Sequence, residues 1–220
     1  DALDNYLMNS PNSDYINYVY YHMVYPYSDD SLNHQSAEGS AARHNFYNPV
    51  AGTPRGFFDG AIQGSSSMWG SSLDSRIMMT SPLTITLSGT KSENEINISA
   101  EVARTGDITD EYINIYFVVA EDVFYAGRNG ITDHKHVMRK ILPTTIGTPI
   151  TINPSETKTF GQNIPIDVLW DADSLHIMVF VQSNSSKMVY QSEMISYNQL
   201  TVTDVKDETK VPQEFSLEQN

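Results

Sequence analysis

The sequence predicts an α+β protein, with a small α/β segment at the N-terminal end followed by an antiparallel β-sandwich. Two observations predict it. After Pro82, apolar residues alternate with period two through stretch after stretch, the pattern of strands with one buried face. Before Pro82, short apolar runs and helical spacings are separated by polar loops. The expected boundaries are 1–81 for the α/β segment, 82–200 for the sandwich and 201–220 for a charged, weakly periodic linker.

Taken in order, residues 1–8 read as the end of a helix, since Leu3 and Leu7 stand four apart on one face. Ser10-Pro11-Asn12-Ser13 breaks it. Residues 15–25, rich in Tyr, Val and Ile, read as a strand buried on both faces. Residues 28–47 read as a loop plus a short helix from Ser36 to Tyr47. Thr53-Pro54 then leads into the aromatic strand around Phe57 and Phe58, closed by a turn at Asp59-Gly60. Ser66, Trp69, Leu73 and Ile77 carry helical spacing. In the second half the alternating sets are Leu83, Ile85, Leu87; Ile96, Ile98, Ala100, Val102; Ile113, Ile115, Phe117, Val119; and Leu175, Ile177, Val179, Val181. Further strands are expected near 137–142, 148–153, 157–164 and 187–197. Seven or eight strands separated by turn signals make a sandwich.

Composition narrows the function classes. A net charge of −14 repels a phosphate backbone and an anionic lipid surface, so neither nucleic acid nor membrane insertion is expected, while divalent cations remain candidate ligands. No run reaches the roughly 18–20 apolar residues of a spanning helix. The first residue is Asp1 and no basic-then-apolar leader follows, so a signal peptide is expected to be removed or to lie upstream. Zero cysteines exclude a disulfide, a thiol nucleophile and a thiolate metal site in this chain.

Three stretches carry a resemblance. The order of strand, helix, Thr53-Pro54, aromatic strand and Asp59-Gly60 resembles the second half of a thioredoxin fold, which implies a structural cis-proline at Pro54. His134-Lys135-His136-Val137-Met138-Arg139-Lys140-Ile141-Leu142-Pro143, Gly147, Phe180-Val181-Gln182 and Val189-Tyr190-Gln191 resemble the outer-membrane-protein-28-like family, which joins a thioredoxin-like domain to an immunoglobulin-like one. That resemblance covers roughly residues 1–198. Residues 211–220, beginning Val211-Pro212-Gln213-Glu214-Phe215, look like the opening of a type IX secretion sorting domain. Together these imply an extracellular or cell-surface location.

The chain departs from the resemblance at one point. Similar proteins carry a Cys-x-x-Cys before the helix that residues 1–8 would complete, preceded by a central strand; both are missing here. Dithiol exchange needs an attacking and a resolving thiol, which this chain does not have. A missing central strand would leave a slot between 15–25 and 55–60, and each unmade buried backbone bond costs about 1–3 kcal/mol. Three outcomes follow: the flanking strands close together, the strand lies elsewhere in the natural protein, or another chain supplies it by strand addition.

Candidate sites are few. His134 and His136, two apart on a strand, point to one face as a metal pair would, a structural role being the competing reading. Asp107, Asp110 and Glu111 form an acidic turn that would take Ca²⁺, with Asp29-Asp30 and Asp171/Asp173 as lesser acidic pairs and solvated loop carboxylates as the alternative. Ser31 and Ser174, in Asp-Ser-Leu triplets, resemble O-glycosylation acceptors, Ser31 being favoured by its expected loop. Tyr15, Tyr18, Tyr20, Tyr21, Tyr25 and Tyr27 could stack on glycans or fill a core or interface. His22 and His44 have no Gly-x-Ser-x-Gly elbow to make a hydrolase triad. No catalytic residue and no resident cofactor is assigned. The expected function is that of a secreted structural or adhesive surface protein that pairs with itself. The alternatives are an extracellular thiol-disulfide protein lacking its Cys-x-x-Cys here, and a carbohydrate- or metal-binding surface module.

Overall fold

In the computed structural model the described residues are 2–47, 52–128 and 130–203. Before Pro82 lie four short helices, α1 (Ala2–Asn9), α2 (Ser31–His34), α3 (Ala37–Phe46) and α4 (Trp69–Ile77), and a hairpin of β1 (Phe57–Phe58) and β2 (Ala61–Ile62). Nine strands follow: β3 (Leu83–Lys91), β4 (Glu95–Arg104), β5 (Ile113–Phe124), β6 (Asp133–Leu142), β7 (Thr148–Ile150), β8 (Thr157–Pro165), β9 (Leu175–Ser183), β10 (Val189–Ser196) and β11 (Thr201–Val202). The chain is α+β, with most of its regular structure in strands.

The strands form two sheets. One runs β10-β9-β5-β6, with β7 also pairing β5; the other runs β11-β3-β4-β8. All pairs are antiparallel except β11 with β3, where Thr201 aligns with Thr90. Residues 201–202, expected to open the linker, therefore close the second sheet. Residues 204–220, including the sorting-domain resemblance at 211–220, lie outside the described residues.

Between the sheets sits one core built by the period-two sets: Leu83 and Ile85, Ile96 to Val102, Ile113 to Val119 and Leu175 to Val181, each taken every second residue. Each fully buried aliphatic side chain contributes about 1.5–3 kcal/mol.

Alternation under-reads β5. Ile113 through Glu121 are buried without interruption. The reason is a third layer. The outer face of the larger sheet holds Tyr116, Val118, Met138, Ile141, Met178 and Phe180, packed against Val19, Tyr21, Val189 and Met194. Helix α3 closes onto it through Gly39, whose missing side chain admits Met138; a Cβ there would stand 2.7 Å from the Met138 methyl. Arg43, one turn on, is buried among Phe46, Tyr47, Tyr116 and Phe180 and donates to Gln182 Oε1 at 2.7 Å.

The strand expected at 15–25 does not form. After a turn of 3₁₀ helix at Ser13–Tyr15, the segment runs half-buried over the rim of the sheet. It is tied there by one parallel bridge, Tyr20 to Val137, with Tyr20 N–H donating to His136 O and Met138 N–H donating to Tyr20 O, each at 2.9 Å. The composition was right for an extended segment, but it does not distinguish a sheet strand from a strap pinned at a single residue. Leu3, Trp69 and Leu73 form a small cluster into which Tyr6, Leu7, Ile16, Tyr18, Tyr20 and Phe58 pack. The Thr53–Pro54 bond is cis. The Asp59-Gly60 turn has φ of 45° and 87°, both in the left-handed region, which suits a two-residue hairpin loop.

Candidate functional site

At one end of the larger sheet, three consecutive strands, β9, β5 and β6, bring His176, Asp122 and His136 together. Their ligand-competent atoms all lie within 4.8 Å of one another. Each strand contributes for a local reason. His176 lies between Leu175 and Ile177, whose side chains enter the sandwich core, so its imidazole turns to the outer face. Asp122 and His136 meet through a β-bulge. Glu121 aligns with Val137 and Val123 with His134, so Lys135 and His136 together oppose Asp122 alone. His136 absorbs the extra residue with φ of 46°, a left-handed conformation costly for a residue with a side chain. Its backbone N–H leaves the ladder and donates to Asp122 Oδ1 at 2.9 Å.

The bulge breaks the expected His134–His136 pair. An extra residue shifts the alternation, so the two rings do not share a site. His134 lies near Tyr125 O, 3.1 Å from its Nε2, with its ring against His22 at 5.3 Å between centroids. His136 is packed between Tyr18 and His176, each ring 4.4 Å away.

The imidazoles face a carboxylate without bonding it. His136 Nε2 is 4.0 Å and His176 Nε2 is 3.8 Å from Asp122 Oδ1. Lys135 Nζ holds the other oxygen, Oδ2, at 3.2 Å, and Asp133 Oδ1 at the same distance. His136 Nδ1 is buried and makes no hydrogen bond of normal geometry. Burial, followed by the neighbouring His176, lowers the His136 pKa to about 4, against the opposing pull of Asp122 and the Tyr18 backbone. Burial also lowers His176. The Asp122 carboxyl is held below its ordinary value: the bonds from the His136 backbone and Lys135 outweigh the larger single effect of burial, which acts upward. At neutral pH the site therefore presents two neutral imidazoles and one carboxylate. Burial pushes the covering Tyr18 up to about 12, so its phenol stays protonated.

The other sequence-derived sites are placed differently. Asp107, Asp110 and Glu111 do not converge on a common point among the described residues. Asp110 instead ties two loops together, accepting from Tyr190 OH at 2.6 Å, Ser186 Oγ at 2.7 Å and Ser185 Oγ at 3.0 Å. That explains the turn without Ca²⁺. Asp29 pairs with Arg128. Ser31 is exposed at the first position of α2, not in a loop, behind the capping carboxylate of Asp30. Ser174 donates to Asp171 Oδ2 at 2.8 Å. His22 bonds Asp30 at 2.8 Å and His44 meets Tyr25 OH at 3.1 Å, so both serve local packing. Of the tyrosines, Tyr18, Tyr20 and Tyr21 enter clusters, while Tyr15 and Tyr27 are exposed.

Comparison with known proteins gives the fold a context. HBP35 of Porphyromonas gingivalis matches with a TM-score of 0.65 at 13% identity, over 87% of this chain and 68% of that one. A domain of the outer membrane lipoprotein Omp28 from Porphyromonas gingivalis matches with a TM-score of 0.42 at 12% identity, over 57% of this chain and 93% of that one. At such identity the likeness to HBP35 is one of fold alone. No curated protein sequence matches the chain. The model of the family described as outer membrane protein Omp28 matches residues 41–199, most of the chain, and the chain belongs to that family.

Proposed function

We propose that the chain is a non-enzymatic structural or adhesive module of the bacterial cell surface, whose N-terminal lobe accepts a strand from a second copy. Family membership supports the surface location. In this reading the sandwich is an immunoglobulin-like rigid body and residues 1–81 are a thioredoxin-like remnant used for contact. With no cysteine, the remnant has no dithiol chemistry to perform.

One observation carries the assembly reading. Phe58 of the hairpin and Tyr18 and Tyr20 of the strap pack on the same three residues, Leu3, Trp69 and Leu73. No ladder joins them among the described strands: β1 pairs β2, and the strap bridges β6 at Tyr20. Two extended segments that border one apolar cluster without a shared ladder are where an added strand would gain both burial and backbone bonds.

Size-exclusion chromatography with light scattering over a concentration series tests this. A mass that rises above the 24.7 kDa of one chain, and that falls back when Phe57→Pro removes the β1 backbone donor that faces away from β2, is expected. A single 24.7 kDa species throughout overturns the self-assembly reading.

A further inference from the structure

We propose that Asp122, His136 and His176 bind a divalent transition-metal ion of the zinc class. The site is independent of the assembly reading. Its donor set of two imidazoles and one carboxylate suits such ions and is poor for Ca²⁺, which takes oxygen ligands.

Geometry favours it. Ligands about 2.0–2.1 Å from a tetrahedral zinc stand roughly 3.3 Å from one another. The two Nε2 atoms lie 3.8 and 4.0 Å from Asp122 Oδ1, too far to hydrogen-bond it and within a small side-chain rotation of a shared ion. All three donors are fixed by adjacent strands of one sheet, so little ordering remains to be done on binding. The His136 backbone N–H already orients the carboxylate by bonding Oδ1 at 2.9 Å.

A second observation points the same way. The bulge holds His136 at φ of 46°, a left-handed conformation costly for a residue with a side chain, and that conformation sets its ring against Asp122 and His176. Backbone strain kept at one residue is expected where the placement of its side chain is used. Three protein ligands leave one position of a tetrahedron, to be filled by water or a donor from another molecule. Lys135 is the opposing feature: its ammonium, 3.2 Å from Asp122 Oδ2, repels a cation and weakens the site.

The test is calorimetric titration of the chelator-stripped chain with Zn²⁺, paralleled by Co²⁺ and its visible absorption. One equivalent per chain with Co²⁺ bands of low-coordinate character is expected. His176→Gln and Asp122→Asn should each weaken binding at least tenfold, while His34→Gln, on the exposed end of α2, should leave it unchanged. Lys135→Gln, which removes that ammonium, should tighten it several-fold. Absence of saturable binding in the parent chain overturns the proposal. So does binding that is indifferent to both His176→Gln and Lys135→Gln, since the ion would then sit elsewhere.

Discussion

Arg43 is the rivet between α3 and the outer face of the larger sheet, and its removal has a calculable cost. Its Nη2 donates to Gln182 Oε1 at 2.7 Å and Tyr47 OH at 2.8 Å, and its guanidinium lies 4.6–5.5 Å from the rings of Phe46, Tyr47, Tyr116 and Phe180. Hydrogen bonds to a charged group contribute about 1.5–3 kcal/mol each, and desolvated cation–π contacts about 2 kcal/mol. Against this stand the desolvation of a buried charge, several kcal/mol, and two donors, Nε and Nη1, without partners. Arg43→Ala loses the contacts and opens a void, and we expect it to cost about 3–4 kcal/mol. Arg43→Met fills the void and deletes the unpartnered donors, leaving Gln182 Oε1 as the main loss. Its cost should be about 1–2 kcal/mol, well below that of alanine. Urea unfolding followed by tryptophan fluorescence and circular dichroism measures both. An alanine variant within about 1 kcal/mol of the parent, or a methionine variant as unstable as alanine, would refute the assignment of Arg43 as packed anchor with little net gain from its charge.

Three more outcomes follow from named contacts. Ile177, fully buried between the sheets, should cost about 3–4 kcal/mol as Ile177→Ala in the same urea assay. Gly60→Ala places a Cβ 1.7 Å from Lys187 O at φ of 87°, so the hairpin must lift off the 187–189 segment, where Val189 N–H donates to Asp59 O; limited proteolysis should cut near 55–63 faster than in the parent. Asp110 is held below the usual carboxylate range, first by Tyr190 OH and next by Ser186. Its stabilisation is present above the unfolded value near pH 3.9 and is lost as pH falls through the lower folded value. Asp110→Asn should therefore lower the thermal midpoint at pH 7 and narrow its gap to the parent in acid; a gap that widens below pH 4 would contradict the hydroxyl-to-carboxylate bonds.

The sandwich was legible because its core positions recur every second residue, and Leu83 to Val102 or Leu175 to Val181 could occupy no other periodic structure so well. The second buried face of β5 was not, since Asn114 and Tyr116 look solvent-facing until Ile146 O and Asn184 are seen to meet the first and Arg43 the second; Glu121, at the strand's end, is buried by Arg139, whose Nε donates to it at 2.5 Å. The strap at 15–25 reads as a sheet strand because Tyr and Val favour extended backbone whether or not a partner strand is present. The His136 site was half-legible. Two histidines on one strand drew notice, but the bulge that separates them has no glycine to mark it, and Asp122 and His176 lie on other strands. Only the register joins them.

Hydrogen–deuterium exchange across a concentration series tests most directly whether the N-terminal lobe works by pairing its backbone. At low concentration the amides of 17–24 other than Tyr20, and that of Phe57, should exchange fast; at high concentration they should slow together while β5 and β9 stay protected throughout. Exchange at 17–24 other than Tyr20 and at Phe57 that is already slow in the dilute chain, or that does not change with concentration, contradicts the account.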